Sequence, residues 1–569
     1  MARKQKIPNN EEIQKCFEKC YGFNEQIGLY DQVKVNEDFY IGNQWEGVEA
    51  NGLPTPTYNM FKRVINFQVS TITSDNLTLR ALPMPSTSQI AMKELERVCE
   101  IVSHQFAAII KRNRIVSLNR EFLRNAAVTG DGCLHFYFDP TIENGQEVKG
   151  EIVAEIVDNL RVHFGNPNCR DVQRQPFIII SRRELVEDVR YKAEKYKEEG
   201  QCKIEDIDSN TPDSEKVQHK YASYTDDKVT ELTYYFKNRD TGTIWCIEST
   251  EKGIIREAYD TEYTLYPLVW LNWDYIRDCY HGQAMVTGLL ANQKFINKMF
   301  ALVGISLLTT AFPKVIYDAN RIRRWDGGVG TAVGVQGNVD NVAKIIDGAT
   351  ISPQIAQFIE MSFDKTHSLL GASDVAMGDS RPDNTSAIIA LQRAANTPME
   401  LTKQNDYKCL EDAGRIWIDM MSVRYGTRMV EVSMKMDEPG EQPLGMNLPA
   451  QNFVVPFDFS TLKNMQITIE QEVGASSYWS EMASMQTLDN LLMNQLITPE
   501  QYIERLPNGY INKKQELLDD FRAAAVAAQA PPPVDDGTNM SVETTSENLP
   551  ARGGSGYGSL QRALNREGA

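Results

Sequence analysis

The sequence predicts an α+β chain, mostly helical, with antiparallel strands gathered in its middle. Three observations carry that reading. Leu95, Val98, Ile101, Val102, Gln105 and Ile109 fall at the i, i+3, i+4 spacing of one helix face. At Gly130-Asp131-Gly132 this spacing gives way to alternation, and short strand-like runs separated by turn residues follow to about residue 258. After Pro267 the helical texture returns in long segments.

Taken in order, residues 10–20 form an amphipathic helix with Ile13 and Phe17 on one face, and a second helical segment covers 24–38. Residues 39–45 read FYIGNQW, an aromatic cluster with a glycine at its turn, expected to pack the end of a surface helix. A helix is expected over 59–74, an extended segment over 77–84, and mostly helix over 88–129. Strands over 133–139 and 147–157 are joined by a turn at Glu143-Asn144-Gly145, and 175–182 is a further strand. Residues 184–199 form a highly charged helix and 200–226 a polar loop or insertion. A three-stranded meander occupies 229–236, 243–249 and 253–258.

One long helix is expected over 282–312, ended by Phe312-Pro313 because the residue before proline is pushed out of the helical region. Short strands and turns fill 313–351. Ser352 caps the next helix, Pro353 takes its first position, and the helix runs to about 370. A polar loop over 371–383 leads to a long helix from Asn384 or Thr385 to about 425, kinked at Pro398, which removes one backbone hydrogen bond. Strands over 429–434 and 453–469 follow, then helices over 480–496, from 499, and over 513–529. From residue 530 the chain is rich in Pro, Gly, Ser and Thr and too poor in apolar residues to order itself.

Composition bounds the function. At about 150 residues per domain, 569 residues hold three or four domains' worth of mass. Hydrophobic residues at 42% and charged residues at 24% exclude a chain that is disordered, collagen-like or membrane-spanning as a whole. A net charge of −18 argues against a protein that grips nucleic acid tightly by its phosphates, and leaves room only for local or sliding contacts. The nine cysteines include one close pair, Cys16 and Cys20, and the six histidines stand singly. Neither a disulfide framework nor a structural zinc site is expected, and reduced thiols in a cytosolic setting follow. No apolar stretch follows the basic residues 1–6, so no signal peptide is read there. The longest uncharged apolar run, 299–313, contains 15 residues. A membrane span needs about 20, so the run reads as a helix buried on all sides by protein.

No catalytic constellation emerges. Residues 328–334 read GVGTAVG, which misplaces the third glycine of G-x-G-x-x-G and does not open a helix, so a hairpin-rich loop is the better reading. No catalytic, cofactor-binding or metal-binding residue is assigned, and no cofactor is expected. Arg321, Arg323, Arg324 and Trp325 form the densest basic-aromatic cluster; either a solvated loop anchored by the tryptophan or a contact for protein or nucleic acid would produce it. Lys62, Arg63, Lys111, Arg112 and Arg114 are ordinary helix-surface charges.

The order of these features resembles the portal proteins of tailed bacteriophages. Three places carry the likeness: FYIGNQW at 39–45 with Tyr58-Asn59-Met60; Tyr266-Pro267 through Gly282, Gln293 and Asn297 to Phe312-Pro313-Lys314; and Leu370-Gly371-Ala372-Ser373-Asp374, Gly378 and Thr385-Ser386-Ala387-Ile388. They span about 30–425; the 200–226 region and the tail match nothing in the pattern. The resemblance implies a homo-oligomeric ring of about twelve subunits with closed symmetry. The ring would sit at one capsid vertex of the virion, after assembly in the host cytoplasm, and double-stranded DNA would pass through it during packaging and ejection.

By the same resemblance, 1–265 would hold the N-terminal helices and a strand-rich wing. Residues 266–312 would hold the first stem helix, 313–351 the clip and 352–370 the second stem helix. Residues 371–425 would hold a tunnel loop and long kinked helix, 426–475 strands returning through the wing, 476–529 crown helices, and 530–569 a flexible tail. Stem packing would use Leu302, Leu307 and Leu308. The clip residues Arg321, Arg323, Arg324 and Trp325 would meet the terminase packaging motor and later the tail adaptor. The tunnel loop would present Gly371, Asp374, Gly378, Asp379, Arg381 and Asp383 to DNA. Capsid and scaffolding proteins are further partners; no membrane and no enzymatic reaction are implied. The rival readings are a nucleotide-dependent enzyme and a scaffold or adaptor without a channel.

Overall fold

The computed structural model describes residues 6–49, 54–74, 77–84, 89–196, 204, 207–210, 227–311, 314–326, 333–346, 353–369, 399–434, 451–465, 467–471, 478–494, 496–506 and 517–518. The chain divides into two units, Met1–Ser480 and Glu481–Ala569. The fold mixes long helices with antiparallel sheets, as the sequence predicts.

Helix α1 (Asn10–Gln26) opens with a reciprocal cap: the Glu12 N–H donates to the Asn9 side chain at 2.9 Å, and the Asn9 N–H donates to Glu12 at 3.0 Å. It continues past Cys20, where the apolar spacing placed its end, and the break falls instead at Ile27-Gly28, before α2 (Leu29–Ile41). Gly42 ends α2 with φ +100°, a conformation that a side chain would strain. The aromatic run around this turn is not a surface feature. Phe39 and Tyr40 are buried in the main core, and the Trp45 indole donates to the Pro56 carbonyl at 3.0 Å. Helix α3 (Met60–Ile72) is capped by Asn59, which accepts from the Lys62 N–H at 3.2 Å.

Strand β1 (Leu79–Pro83) leads to α4 (Gln89–Arg112) and α5 (Ile115–Thr129), which are parted at Arg114, where φ is +51°. Next come β2 (Asp131–Asp139), β3 (Glu151–Ile156), β4 (Val162–Phe164), β5 (Phe177–Leu185), α6 (Val186–Lys195), β6 (Lys228–Lys237), β7 (Ile244–Thr250), β8 (Gly253–Asp260) and β9 (Leu268–Asn272). They form two antiparallel sheets, ordered β3-β2-β9 and β4-β5-β6-β7-β8. The expected meander is the β6-β7-β8 edge of the larger sheet. Strand β4 is a three-residue element that sequence alternation is too short to mark, and it pairs with β5.

Helix α7 (Met285–Ala311), the hairpin β10 (Lys314–Tyr317) and β11 (Ala343–Ile346), and α8 (Pro353–Leu369) follow. Helix α9 (Glu400–Arg424) falls within the span expected for the long helix; the expected start at Asn384 or Thr385, Pro398 and the kink expected there lie outside the described residues. Strands β12 (Thr427–Met434) and β13 (Gln451–Asp458) pair with each other. The single strand expected over 453–469 is broken. Asp458 accepts from the Ser460 N–H at 3.0 Å and starts a 3-10 turn over Phe459–Asn464, after which β14 (Ile467–Gln471) pairs with β1. The helix α10 (Tyr478–Met493) spans the boundary of the two units. In the second unit, α11 (Pro499–Arg505) is capped reciprocally by Thr498 and Gln501, and the Tyr502 hydroxyl donates to Asp489 at 2.6 Å.

The main core lies where α4, α5 and α9 cover β2. Trp417 is fully buried, with its ring centroid 5.8 Å from Phe106 and 5.7 Å from Phe136, the latter edge-on at 89°. One face of the five-stranded sheet packs Ile179, Leu232, Tyr234 and Ile247 against Ile13 of α1. The described cysteines are free thiols, and burial pushes Cys20 up to about 11 and Cys246 up to about 12.

Candidate stem and clip

The start of α7 is fixed by backbone contact and a buried polar cluster. A Cβ built on Gly130 would stand 2.6 Å from the Gly282 carbonyl oxygen, and one on Gly282 would stand 2.9 Å from that of Gly130. Only two glycines allow this approach, and Gly130 also has φ +104°. Asp131, 1% exposed, sits beside the contact. Its Oδ1 accepts from the Gly282 N–H at 2.7 Å and from Asn272 at 2.8 Å; its Oδ2 meets His281 Nδ1 at 2.7 Å. His281 Nε2 in turn lies 3.1 Å from Asn24 Oδ1. A buried carboxylate without such partners would be costly, so the cluster holds the β3-β2-β9 sheet, α1 and the approach to α7 in one arrangement. The sequence marked Gly130-Asp131-Gly132 only as a change of period; Asn24, Asp131 and His281 carry no local signal.

Two to three turns into α7, two buried amides lock the helix to the N-terminal segment. Gln293 donates to the Tyr58 carbonyl at 2.7 Å and to Asn297 at 2.9 Å; Asn297 donates to Gln44 at 2.6 Å. Gln44 donates to the Phe39 carbonyl at 3.0 Å, and Asn59 donates to that of Tyr40 at 2.7 Å. The Tyr58 and Phe300 ring centroids are 4.1 Å apart. Three sequence fragments singled out separately, FYIGNQW, Tyr58-Asn59-Met60 and the Gln293/Asn297 pair, therefore meet in one network.

Beyond that network Gly304 still lies against Pro54, but the leucines of the helix turn outward. Leu302 is 51% exposed, Leu307 57% and Leu308 48%. The expectation that the uncharged run is buried on all sides does not hold for the single chain. Helix α7 meets α8 through an edge-on pair, Phe295 and Phe358, at 6.1 Å. Ile355, Phe358 and Met361 of α8 are themselves exposed. The two helices thus present an unpartnered apolar surface with no membrane-spanning character, since no helix among the described residues is long and apolar enough to cross a bilayer.

The hairpin β10–β11 closes the excursion between these helices, with Lys314 opposite Ile346 and Tyr317 opposite Ala343. Ile322 and Val342 are buried and anchor the excursion. Trp325 stacks on Tyr317 at 5.5 Å yet remains 37% exposed. Arg321, Arg323 and Arg324 are exposed, with Arg321 3.6 Å from Asp318. The structure thus brings the four residues together on a surface, the tryptophan half-anchored and the arginines outward. Gly371, Asp374, Gly378, Asp379, Arg381 and Asp383 lie outside the described residues, as do 327–332 of the glycine-rich stretch. Among the described residues no group of three or more His, Cys, Asp or Glu side chains is placed to hold a metal ion.

A family model described as phage P22-like portal protein matches residues 15–452, well over half of the chain. No curated protein matches the sequence.

Proposed function

The chain belongs to the P22-like family of phage portal proteins, and from that membership we propose that it assembles into a ring of about twelve subunits whose closed symmetry makes a DNA channel at one capsid vertex. The observation that carries this reading is the exposed, uncharged distal half of α7. Leu302, Leu307 and Leu308 stand in solvent in the single chain, and α8 adds Ile355, Phe358 and Met361. Exposed apolar residues on every side of an uncharged helix end are suited to an interaction site, and in a head-to-tail ring each subunit's stem would cover its neighbour's.

The other regions take roles in that frame. The 313–351 excursion is the clip, where Arg321, Arg323, Arg324 and Trp325 meet the terminase motor during packaging and the tail adaptor afterwards. Residues 371–383 are the tunnel loop, the strand-rich 130–260 region is the wing, and about 478–528 is the crown. The chain performs no reaction; the motor's ATPase is a separate protein. The charge of −18 per chain suits a conduit. A protein making 6–10 phosphate contacts loses about 10³–10⁵ in affinity between 50 and 200 mM salt, which is the behaviour of a gripper and would oppose passage.

Leu302→Asp and Leu307→Asp test the proposal. Each places an unpaired charge in every stem interface, at a cost of several kcal/mol per copy. Sedimentation should show soluble, folded subunits that no longer form rings. Normal rings from both variants would overturn the stem assignment.

A further inference from the structure

Asn119 of α5, Asp406 of α9 and Gln471 at the end of β14 line one small cavity of about 10 Å³, walled in part by Ile72, Leu77 and Val116. Asp406 is 1% exposed and Asn119 3%. One bond joins them: the Asn119 amide donates to Asp406 Oδ2 at 3.1 Å. The other oxygens, Asp406 Oδ1, Asn119 Oδ1 and Gln471 Oε1, are buried and have no hydrogen-bond partner among the described residues. Three acceptors cannot satisfy one another, and leaving them unpaired in the interior is costly.

Counting donors identifies what is needed. Nothing basic lines the cavity, and burial pushes the Asp406 carboxyl up to about 7. Below that pH the carboxyl brings one O–H of its own. A water brings two more donors and accepts from the carboxyl. Three hydrogen bonds then satisfy all three oxygens, and about three is the usual number for a buried water. The volume agrees, since about 10–15 Å³ is the least that holds one. A calcium or magnesium ion would ask for about six oxygens or more, and the cavity offers three unpaired ones.

We propose that this cavity binds one water molecule, which accepts from the Asp406 carboxyl and donates to Asn119 Oδ1 and Gln471 Oε1. The water bridges strand β14 to α5 and α9, tying together three distant parts of the chain. The site is independent of the channel assignment.

A density map of the purified full-length protein, fine enough to show ordered water, tests it. The expected result is one peak within about 2.7–3.2 Å of all three oxygens. No peak, a peak at the shorter distance of about 2.0–2.6 Å that a metal ion keeps, or the Gln471 amide nitrogen set directly against Asp406 would each overturn the proposal. Two measurements in solution bear on the donors. Infrared difference spectra between wild type and Asp406→Asn at about pH 6, below the raised pKa, should show the carbonyl stretch of a protonated carboxyl, and its absence would remove the carboxyl as a donor. Gln471→Met should raise the unfolding constant several-fold in the wild type and change it little beside Asp406→Leu, where the bridge is already lost; equal effects in both backgrounds would contradict a shared water.

Discussion

Asp406 shows how much one buried carboxyl can set. It is 1% exposed on α9 and accepts from Asn119 of α5 at 3.1 Å, while its other oxygen has no partner. The cavity around it is lined by Ile72, Thr73, Leu77, Val116, Tyr407 and Gln471, none of them charged at neutral pH. Burial pushes its pKa up to about 7, above the value of about 3.9 of an unfolded chain. The sign follows from proton uptake. Between these two values the native state holds a proton that the unfolded state has released, so stability is full below about pH 4 and falls as pH rises through 7. Asp406→Asn keeps the shape and removes the titration. Its unfolding midpoint should lose that fall across pH 4–7, a difference on the order of a few kcal/mol; profiles of equal slope for variant and wild type would contradict the assignment. Nothing in the sequence separates Asp406 from the other acids, because its environment is supplied by α5 and β14 from far along the chain.

At the scale of elements, what was legible was local. The start of α8 at Pro353 leaves its mark within a few residues, as do the hairpin of β2 and β3, the β6-β7-β8 meander and the change of period at Gly130. Pairings between distant segments leave none. Strand β1 meets β14, which lies beyond the matched region, and Gln44 reaches Asn297 across the first half of the chain. The exposed end of α7 was read as buried because an uncharged apolar run does not say whether its own chain covers it. The clip prediction belongs here. Replacing Arg321, Arg323, Arg324 and Trp325 together by Ala leaves the buried Ile322 and Val342 anchors in place. Rings should persist while binding to the packaging motor or tail adaptor weakens, since tryptophan and arginine dominate interface energetics. Pull-down against the purified partners, with the ring checked by sedimentation, measures it; unchanged binding would remove these residues from the docking surface.

For the whole molecule, the net charge of −18 is what supports the proposed conduit. The 371–383 segment is 13 residues long, against the usual 2–8 of a helix–helix connection. It carries one basic residue, Arg381, and the acids Asp374, Asp379 and Asp383. Shortening it should leave rings assembled but reduce the DNA packaged or retained, whereas Arg381→Ala alone should change little, because one phosphate contact is a small, salt-screened contribution. The central claim is that this chain closes into a ring around a channel, with the exposed leucines of α7 buried between neighbours. Electron microscopy of the purified full-length protein tests it most directly. Closed annular particles with a central hole, lined by the α7 and α8 stems, are the predicted result; monomers or assemblies without a hole, under conditions where the protein is folded, would contradict it.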